Sequence, residues 1–173
     1  FSTPFSIRAI NFLKKFNFKL FKISSFEITD ANLILNIAKT KKPIFISSGM
    51  AFMDEISKSV RILKNSGAKD ILAFHCTSEY PCQDKNVNLS AIKHMHETLK
   101  LPVGFSDHTK DILASTLAIS YGAVAIEKHL AVSDSLAGPE KGTACNPKKF
   151  SELGFKFHSF DESVNKFTFA KNE

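Results

Sequence analysis

Short apolar runs recur along this chain, each followed by a polar cluster and then by apolar positions at helical spacing. The runs are Phe18–Ile23, Pro43–Ile46, Asp70–Phe74, Leu101–Phe105 and Ala123–Ile126. Several are nearly continuous in apolar character, which suits parallel strands covered on both faces better than strands with one wet side. Between them the pattern turns helical. Asp30 stands where it can cap a helix carrying Leu33, Ile34 and Ile37, and Asp54 precedes Ile56, Val60 and Leu63, with Gly67 placed to end that helix. Asn88 opens a third helix through Leu89, Ile92, Met95 and Leu99. A fourth runs through Ile112, Leu113, Leu117 and Ala118 and stops at Gly122. Arg8–Phe16 reads as another helix, which leaves Phe1–Pro4 as the tail of a strand.

Strand–helix alternation on this period gives either a doubly wound open sheet or a closed (β/α)8 barrel. The nucleotide-binding open sheets lose their usual signal, because neither GxGxxG nor a Walker A sequence is present. What recurs is a polar cluster at every strand end: Ser2-Thr3, Lys22 to Ser25, Ser47-Ser48-Gly49, His75 to Ser78, Ser106 to Thr109 and Glu127-Lys128-His129. A barrel gathers all such ends at one mouth, where its chemistry sits. The fold expected is therefore α/β, an incomplete TIM-type barrel over residues 1–150 with about six of the eight strands that closure needs. The first two strands are expected upstream of Phe1, since the chain opens at a strand end without a Met. Residues 151–173 have weak periodicity and stay unassigned, with a final helix as the one candidate element.

Composition narrows the classes. A chain of 173 residues with 43% hydrophobic content can bury a core as one domain. No apolar run approaches the roughly 20 residues of a membrane span. The net charge of +6 comes from dispersed lysines such as Lys14, Lys15, Lys39, Lys41, Lys42, Lys148 and Lys149, without a nucleic-acid-binding signature. That balance suits an anionic small molecule. Three cysteines give no disulfide framework and read as reduced thiols of a cytoplasmic protein.

Two groups of strand-end residues carry chemistry. His108 and His129 each stand two residues after a polar partner, Ser106 and Glu127, at the ends of consecutive strands. Two imidazoles at adjacent ends can meet one divalent ion, Mn²⁺, Mg²⁺ or Zn²⁺, with positions left for water or a substrate oxygen. Equally, both can be satisfied polar residues at a barrel rim, and spacing does not choose between the two. Thr3, Lys22, Ser25, Ser47 and Ser106 combine one cation with several short donors on successive ends, the composition of a phosphate or carboxylate cradle. Glu127 points from a strand end beside these groups, whereas Glu27 opens a helical turn, where a carboxylate is ordinarily structural. His94 and His96 lie two apart on a helix, do not face one another, and read as surface residues.

The strings themselves resemble a known family. Phe-Ser-Thr-Pro-Phe, Phe-Lys-Ile-Ser-Ser-Phe-Glu, Pro-Ile-Phe-Ile-Ser-Ser-Gly-Met and His-Cys-Thr-Ser-Glu-Tyr-Pro follow in order, then Asn-Val-Asn-Leu, Gly-Phe-Ser-Asp-His-Thr, Ile-Glu-Lys-His and Gly-Pro-Glu. This order, over about the first 150 residues, resembles the sialic acid synthases, which include N-acetylneuraminate, legionaminate and pseudaminate synthases. The resemblance implies a (β/α)8 barrel that condenses phosphoenolpyruvate with an N-acylated amino sugar, releases phosphate and uses Mn²⁺ or Mg²⁺. It further implies a homodimer for the full-length enzyme and an antifreeze-like domain after the barrel, which is expected to be absent from this chain. On matching positions, it implies His108 and His129 as metal ligands. Thr3, Lys22, Ser25, Ser47, Ser78 and Ser106 would hold phosphoenolpyruvate. Tyr80 and Glu140 would lie near the sugar, and Glu127 would act at the reacting centre. The run Lys141-Gly142-Thr143-Ala144-Cys145 departs from the family pattern, as does Glu140, where relatives carry Asp. Two other readings remain at this point: a truncated, inactive remnant of such an enzyme, and a related barrel synthase that uses phosphoenolpyruvate.

Overall fold

A computed structural model describes residues 1–131, 133, 135, 137–138 and 141–146 of the chain. Five parallel strands form one sheet in sequence order: β1 (Phe21–Ile23), β2 (Ile44–Ser47), β3 (Ile71–Cys76), β4 (Val103–Asp107) and β5 (Ile126–Lys128). Each pairs in parallel with the next. The helices that return the chain are α2 (Ala31–Ala38), α3 (Met53–Asn65), α4 (Ser90–Leu99) and α5 (Leu113–Ser120), preceded by α1 (Ile7–Leu13). The sheet is a curled part of a barrel, as the alternation of elements predicts. Before β1, Ser2 bridges Phe21 in parallel and accepts the Lys22 N–H at 3.0 Å, so the opening residues continue the sheet.

Registers divide the strand residues between two faces. On the outer face Ile23, Ile44, Ile46, Ile71, Ala73, Val103 and Phe105 pack against buried helix residues in one large cluster. The stripes anticipated on α2 (Leu33, Ile34, Ile37), α3 (Ile56, Val60, Leu63) and α4 (Ile92, Met95, Leu99) supply its other half. Phe45, Leu72 and Phe74 form a second cluster on the inner face, with Leu20 and Ala125 against it. The rings of Phe45 and Phe74 meet edge to face at 5.3 Å. Gly104 makes room for this filling: a Cβ there would lie 2.7 Å from the Phe74 ring and 2.9 Å from the Ala125 carbonyl oxygen.

Several boundaries and one face differ from the sequence reading. Asp30 does cap α2, accepting the Leu33 N–H at 2.9 Å. Asp54, by contrast, lies inside the first turn of α3; Phe52 is the cap residue, and Glu55 accepts its N–H at 2.8 Å. Asn88 precedes the α4 cap, Leu89, with a positive φ of 49°, and accepts the Ser90 hydroxyl. β3 and β4 run two residues further than their apolar runs, to Cys76 and Asp107, because ladder pairing continues after the hydrophobic pattern stops. On α5 the buried residues are Ala114, Ser115 and Ala118, whereas Leu113 and Leu117 are exposed. Small side chains let that helix lie close to β4, and the branched ones point away.

Two measurements follow from this packing. Gly104→Ala is expected to destabilise the chain by about 1–3 kcal/mol, since the added methyl meets backbone as well as a ring; urea unfolding reads it directly. His75 is buried on the outer face of β3, its Nε2 2.7 Å from the Val87 carbonyl and its ring stacked on Phe105. Burial holds its pKa below the ordinary 6.5, against backbone hydrogen bonds to Val87 and Asn88 that raise it. The unfolded chain therefore takes up a proton first as pH falls through about 6.5, and the stability contributed by neutral His75 declines below that point. Melting temperatures from about pH 7.5 to about pH 5.5 should fall more steeply for wild type than for a His75→Gln variant, itself less stable throughout.

Candidate active site

At the carboxyl ends of the strands the inner face turns from apolar to polar. Alternation puts Ser106 and His108 on the inner side of β4 and its following turn, and Glu127 and His129 on the inner side of β5. The β4–β5 register sets Ser106 opposite Glu127 and Asp107 opposite Lys128. One step further, His108 and His129 come together with ring centres 5.3 Å apart. Tyr80 covers both rings. It stacks on His108 at 4.2 Å, meets His129 edge-on at 5.6 Å, and sets its hydroxyl 3.1 Å from His108 Nε2.

The protonation pattern of His108 follows from its neighbours. Nδ1 lies 2.7 Å from the Thr77 carbonyl, which only accepts, so Nδ1 carries the proton and the Nε2 lone pair faces the site. Burial holds its pKa below 6.5 and the charge of His129 adds to this, while the Thr77 bond works the other way. A neutral imidazole with its second nitrogen anchored to a carbonyl is the form that binds metals. Cys76 lies beside it, with Sγ 3.9 Å from His108 Nδ1 and 3.8 Å from Ser25 Oγ. Burial pushes that thiol's pKa up, which keeps it from being a ready thiolate ligand.

His108 and His129 are the residues that could hold a metal here, as a two-nitrogen site. Nitrogen–metal bonds of about 2.1 Å let rings at this separation reach a common ion. Among the described residues no group of three or more His, Cys, Asp and Glu side chains is placed to hold an ion. The remaining positions would fall to water or to ligand oxygens.

The cradle residues gather on the same side. Lys22 Nζ lies 2.5 and 2.6 Å from the two Glu127 oxygens, and the Ser106 hydroxyl donates to Glu127 at 2.7 Å. Burial raises the Glu127 pKa, but the Lys22 charge and hydrogen bond, with Ser106 and His108, outweigh it and hold the carboxyl below 4.5. Ser25 accepts the Gly49 N–H at 3.0 Å. A Cβ on Gly49 would collide with Ser78 Oγ and sit 2.8 Å from Ser25 Oγ, so glycine is what lets the ends of β1, β2 and β3 converge there. Ser47 Oγ is buried without a hydrogen-bond partner, alone in this among the described side chains. Such a donor is costly to leave unmade and points to an acceptor supplied by a ligand or water. Thr3, half-buried, follows the Ser2 bridge on the side of Lys22. Glu140 lies outside the described residues.

Comparison with known proteins places the chain. The NeuB family model matches residues 1–167. The chain belongs to the NeuB family. It is 39% identical over 154 residues to the N,N'-diacetyllegionaminic acid synthase of Campylobacter jejuni, covering 88% of this chain and 46% of that protein. To a pseudaminic acid synthase of the same species it is 40% identical over 153 residues, covering 88% and 45%. The crystal structure of the N-acetylneuraminic acid synthetase of Leptospira borgpetersenii superposes with a TM-score of 0.83 at 29% identity, over 95% of this chain and 62% of that one. The chain thus spans less than half the length of these curated relatives.

Some residues that shape the site are given no role in the sequence reading. Asp107 and Lys128 form a buried ion pair of 3.2 Å behind the two histidines. The segment ending at Cys145 returns beside β5, where Cys145 donates its N–H to the His129 carbonyl at 2.9 Å and Leu130 bridges it in parallel. For the ion pair a signal did exist: Ser-Asp-His set against Glu-Lys-His in parallel register pairs an acid with a base on the outer side.

Lys22→Met tests the electrostatics of this NeuB family site. With the cation gone, burial dominates, and the Glu127 carboxyl is expected to move above 4.5 in a carboxyl-carbon NMR titration. A titration midpoint unchanged from wild type would mean that solvent, not Lys22, sets its charge.

Proposed function

We propose that this chain is the strand-end part of a synthase that joins phosphoenolpyruvate to an N-acylated amino sugar, giving a nine-carbon sialic-acid-like sugar acid and phosphate. The observation that carries the reading is the convergence of Lys22, Ser106 and the unpartnered buried Ser47 hydroxyl on the same side as the adjacent imidazoles of His108 and His129. Membership of a family whose relatives are named legionaminic and pseudaminic acid synthases supports the substrate class.

In this reading Lys22, with the hydroxyls of Thr3, Ser25, Ser47, Ser78 and Ser106, binds the phosphate and carboxylate of phosphoenolpyruvate and fixes its enol carbon. His108 and His129 would hold Mn²⁺ or Mg²⁺, which supplies Lewis-acid polarisation of a carbonyl oxygen. Tyr80 and Glu140 orient the sugar. Carbon 3 of the enol attacks the aldehyde carbon, and the aldehyde oxygen takes up a proton to become a hydroxyl. Water then adds at carbon 2. Glu127, kept ionised beside Lys22, accepts a proton from that water, and the tetrahedral centre expels phosphate.

Since the chain spans less than half of its relatives, a second reading assigns it binding without turnover. One experiment separates the two. Calorimetry with phosphoenolpyruvate and Mn²⁺ is combined with a phosphate-release assay on N-acetylmannosamine and on 2,4-diacetamido-trideoxyhexoses. Binding that weakens at least about tenfold in Lys22→Ala, together with phosphate release dependent on an amino sugar, supports the synthase. Binding without release supports the non-catalytic form. Absence of phosphoenolpyruvate binding sinks both. In a chain that turns over, Glu127→Gln is expected to lower kcat by about 10² or more with little change in phosphoenolpyruvate affinity.

A further inference from the structure

The outer side of the same two strand ends holds a second cluster, separated from the site by the sheet itself. Asp107 and Lys128 are cross-strand neighbours, and their side chains are 0% and 2% exposed. Their partners are almost all parts of one residue. Asp107 Oδ1 accepts the Thr109 N–H at 2.7 Å and the Thr109 hydroxyl at 2.8 Å, and Lys128 Nζ donates to the Thr109 carbonyl at 2.8 Å. The hydroxyl of Ser115 on α5 donates to the other Asp107 oxygen. One residue back, the His108 carbonyl accepts the Cys82 N–H at 2.8 Å. The His108 carbonyl and both backbone polar groups of Thr109 are thereby tied.

We propose that Asp107 and Lys128 are positioning residues that set the separation and direction of the His108 and His129 rings. The inference rests on reading those rings as a metal-ligand pair. Asp107 immediately precedes His108 and Lys128 immediately precedes His129, so joining the two outer side chains joins the two inner ones through two short pieces of backbone. Stability alone is a poor account of the pair, because a buried ion pair adds little over apolar residues of the same volume. What the ions supply is direction: Asp107 accepts three hydrogen bonds and Lys128 donates one, and these leave the turn a single conformation. The arrangement is the outer-shell support that a ligand imidazole needs, delivered through backbone rather than through the ring nitrogen.

The test uses the whole chain carrying Asp107→Asn and Lys128→Met together, which removes both charges and leaves no uncompensated ion. Two readouts are taken: the imidazole ¹H–¹⁵N signals, and Mn²⁺ affinity from water-proton relaxation. A chain that keeps its circular dichroism is expected to show shifted and broadened His108 and His129 signals. Those of His75, His94 and His96 should stay in place, and Mn²⁺ binding should weaken about tenfold or more. A folded double variant with wild-type His108 and His129 signals overturns the proposal. If the double variant loses its fold, Thr109→Val decides, since it keeps the ion pair and removes only the hydroxyl's contacts to Asp107 and to the Asp111 carbonyl: shifted His108 signals support positioning, unchanged ones overturn it. A wild type that binds no Mn²⁺ would end the metal reading instead, while the ring signals would still report on whether the ion pair places them.

Discussion

Backbone hydrogen bonds between β4 and β5 hold Ser106 beside Glu127 and Asp107 beside Lys128, and the site depends on that register. Because side chains alternate across a strand, one ladder delivers two separate polar constellations. Ser106, Glu127, His108 and His129 go inward, and Asp107 and Lys128 go outward. A shift of β5 by one residue would turn His129 outward and Lys128 into the mouth, and would part both pairs. Such a slip is opposed by the buried contacts of Lys128 with Asp107 and with the Thr109 carbonyl, and by the Phe105–Ile126 pair lower in the ladder.

The two ion pairs on these strands differ in kind. Asp107–Lys128 is sealed, with its hydrogen bonds satisfied inside the fold, and its role is geometric. Lys22–Glu127 is partly open, at 15% and 29% side-chain exposure, and it joins β1 to β5 across the inner face. A cation whose partner is a carboxylate within reach of solvent can exchange that partner for another anion at modest cost. The Ser106 hydroxyl, which donates to the same carboxylate, would follow. In the proposed reading, an anion would be held near Lys22, with the His108 and His129 rings next to it.

Much of this architecture was legible before any coordinates. Continuous apolar runs indicated buried parallel strands, and helical stripes indicated the faces of α2, α3 and α4, all of which pack as read. Element ends were less legible. Asp54 and Asn88 are good capping residue types, yet the caps fall at Phe52 and Leu89, because the turns after β2 and β3 are set by strand-end packing rather than by the helices they precede. On α5 hydrophobicity misled: Leu113 and Leu117 look like a core stripe, but the tight approach to β4 admits only Ala114, Ser115 and Ala118. The strand-end polar clusters contain Lys22, Ser47, Ser106, Glu127, His108 and His129, and the structure gathers these residues on the inner side of the sheet.

The amino-acid order by itself determined which elements form, their sequence, and which side chains share a strand face, because period and turn chemistry are local properties. Only the tertiary structure decided which faces meet. Lys22 and Glu127 are 105 positions apart, and nothing local states that they touch at 2.5 Å. The same holds for the Thr77 carbonyl that fixes the His108 tautomer, the Tyr80 ring that lies on it, and the buried Ser47 hydroxyl left without a partner. Periodicity gives each strand its two faces, but register between strands is a sum of long-range packing and hydrogen bonding, and that sum exists only in the folded chain.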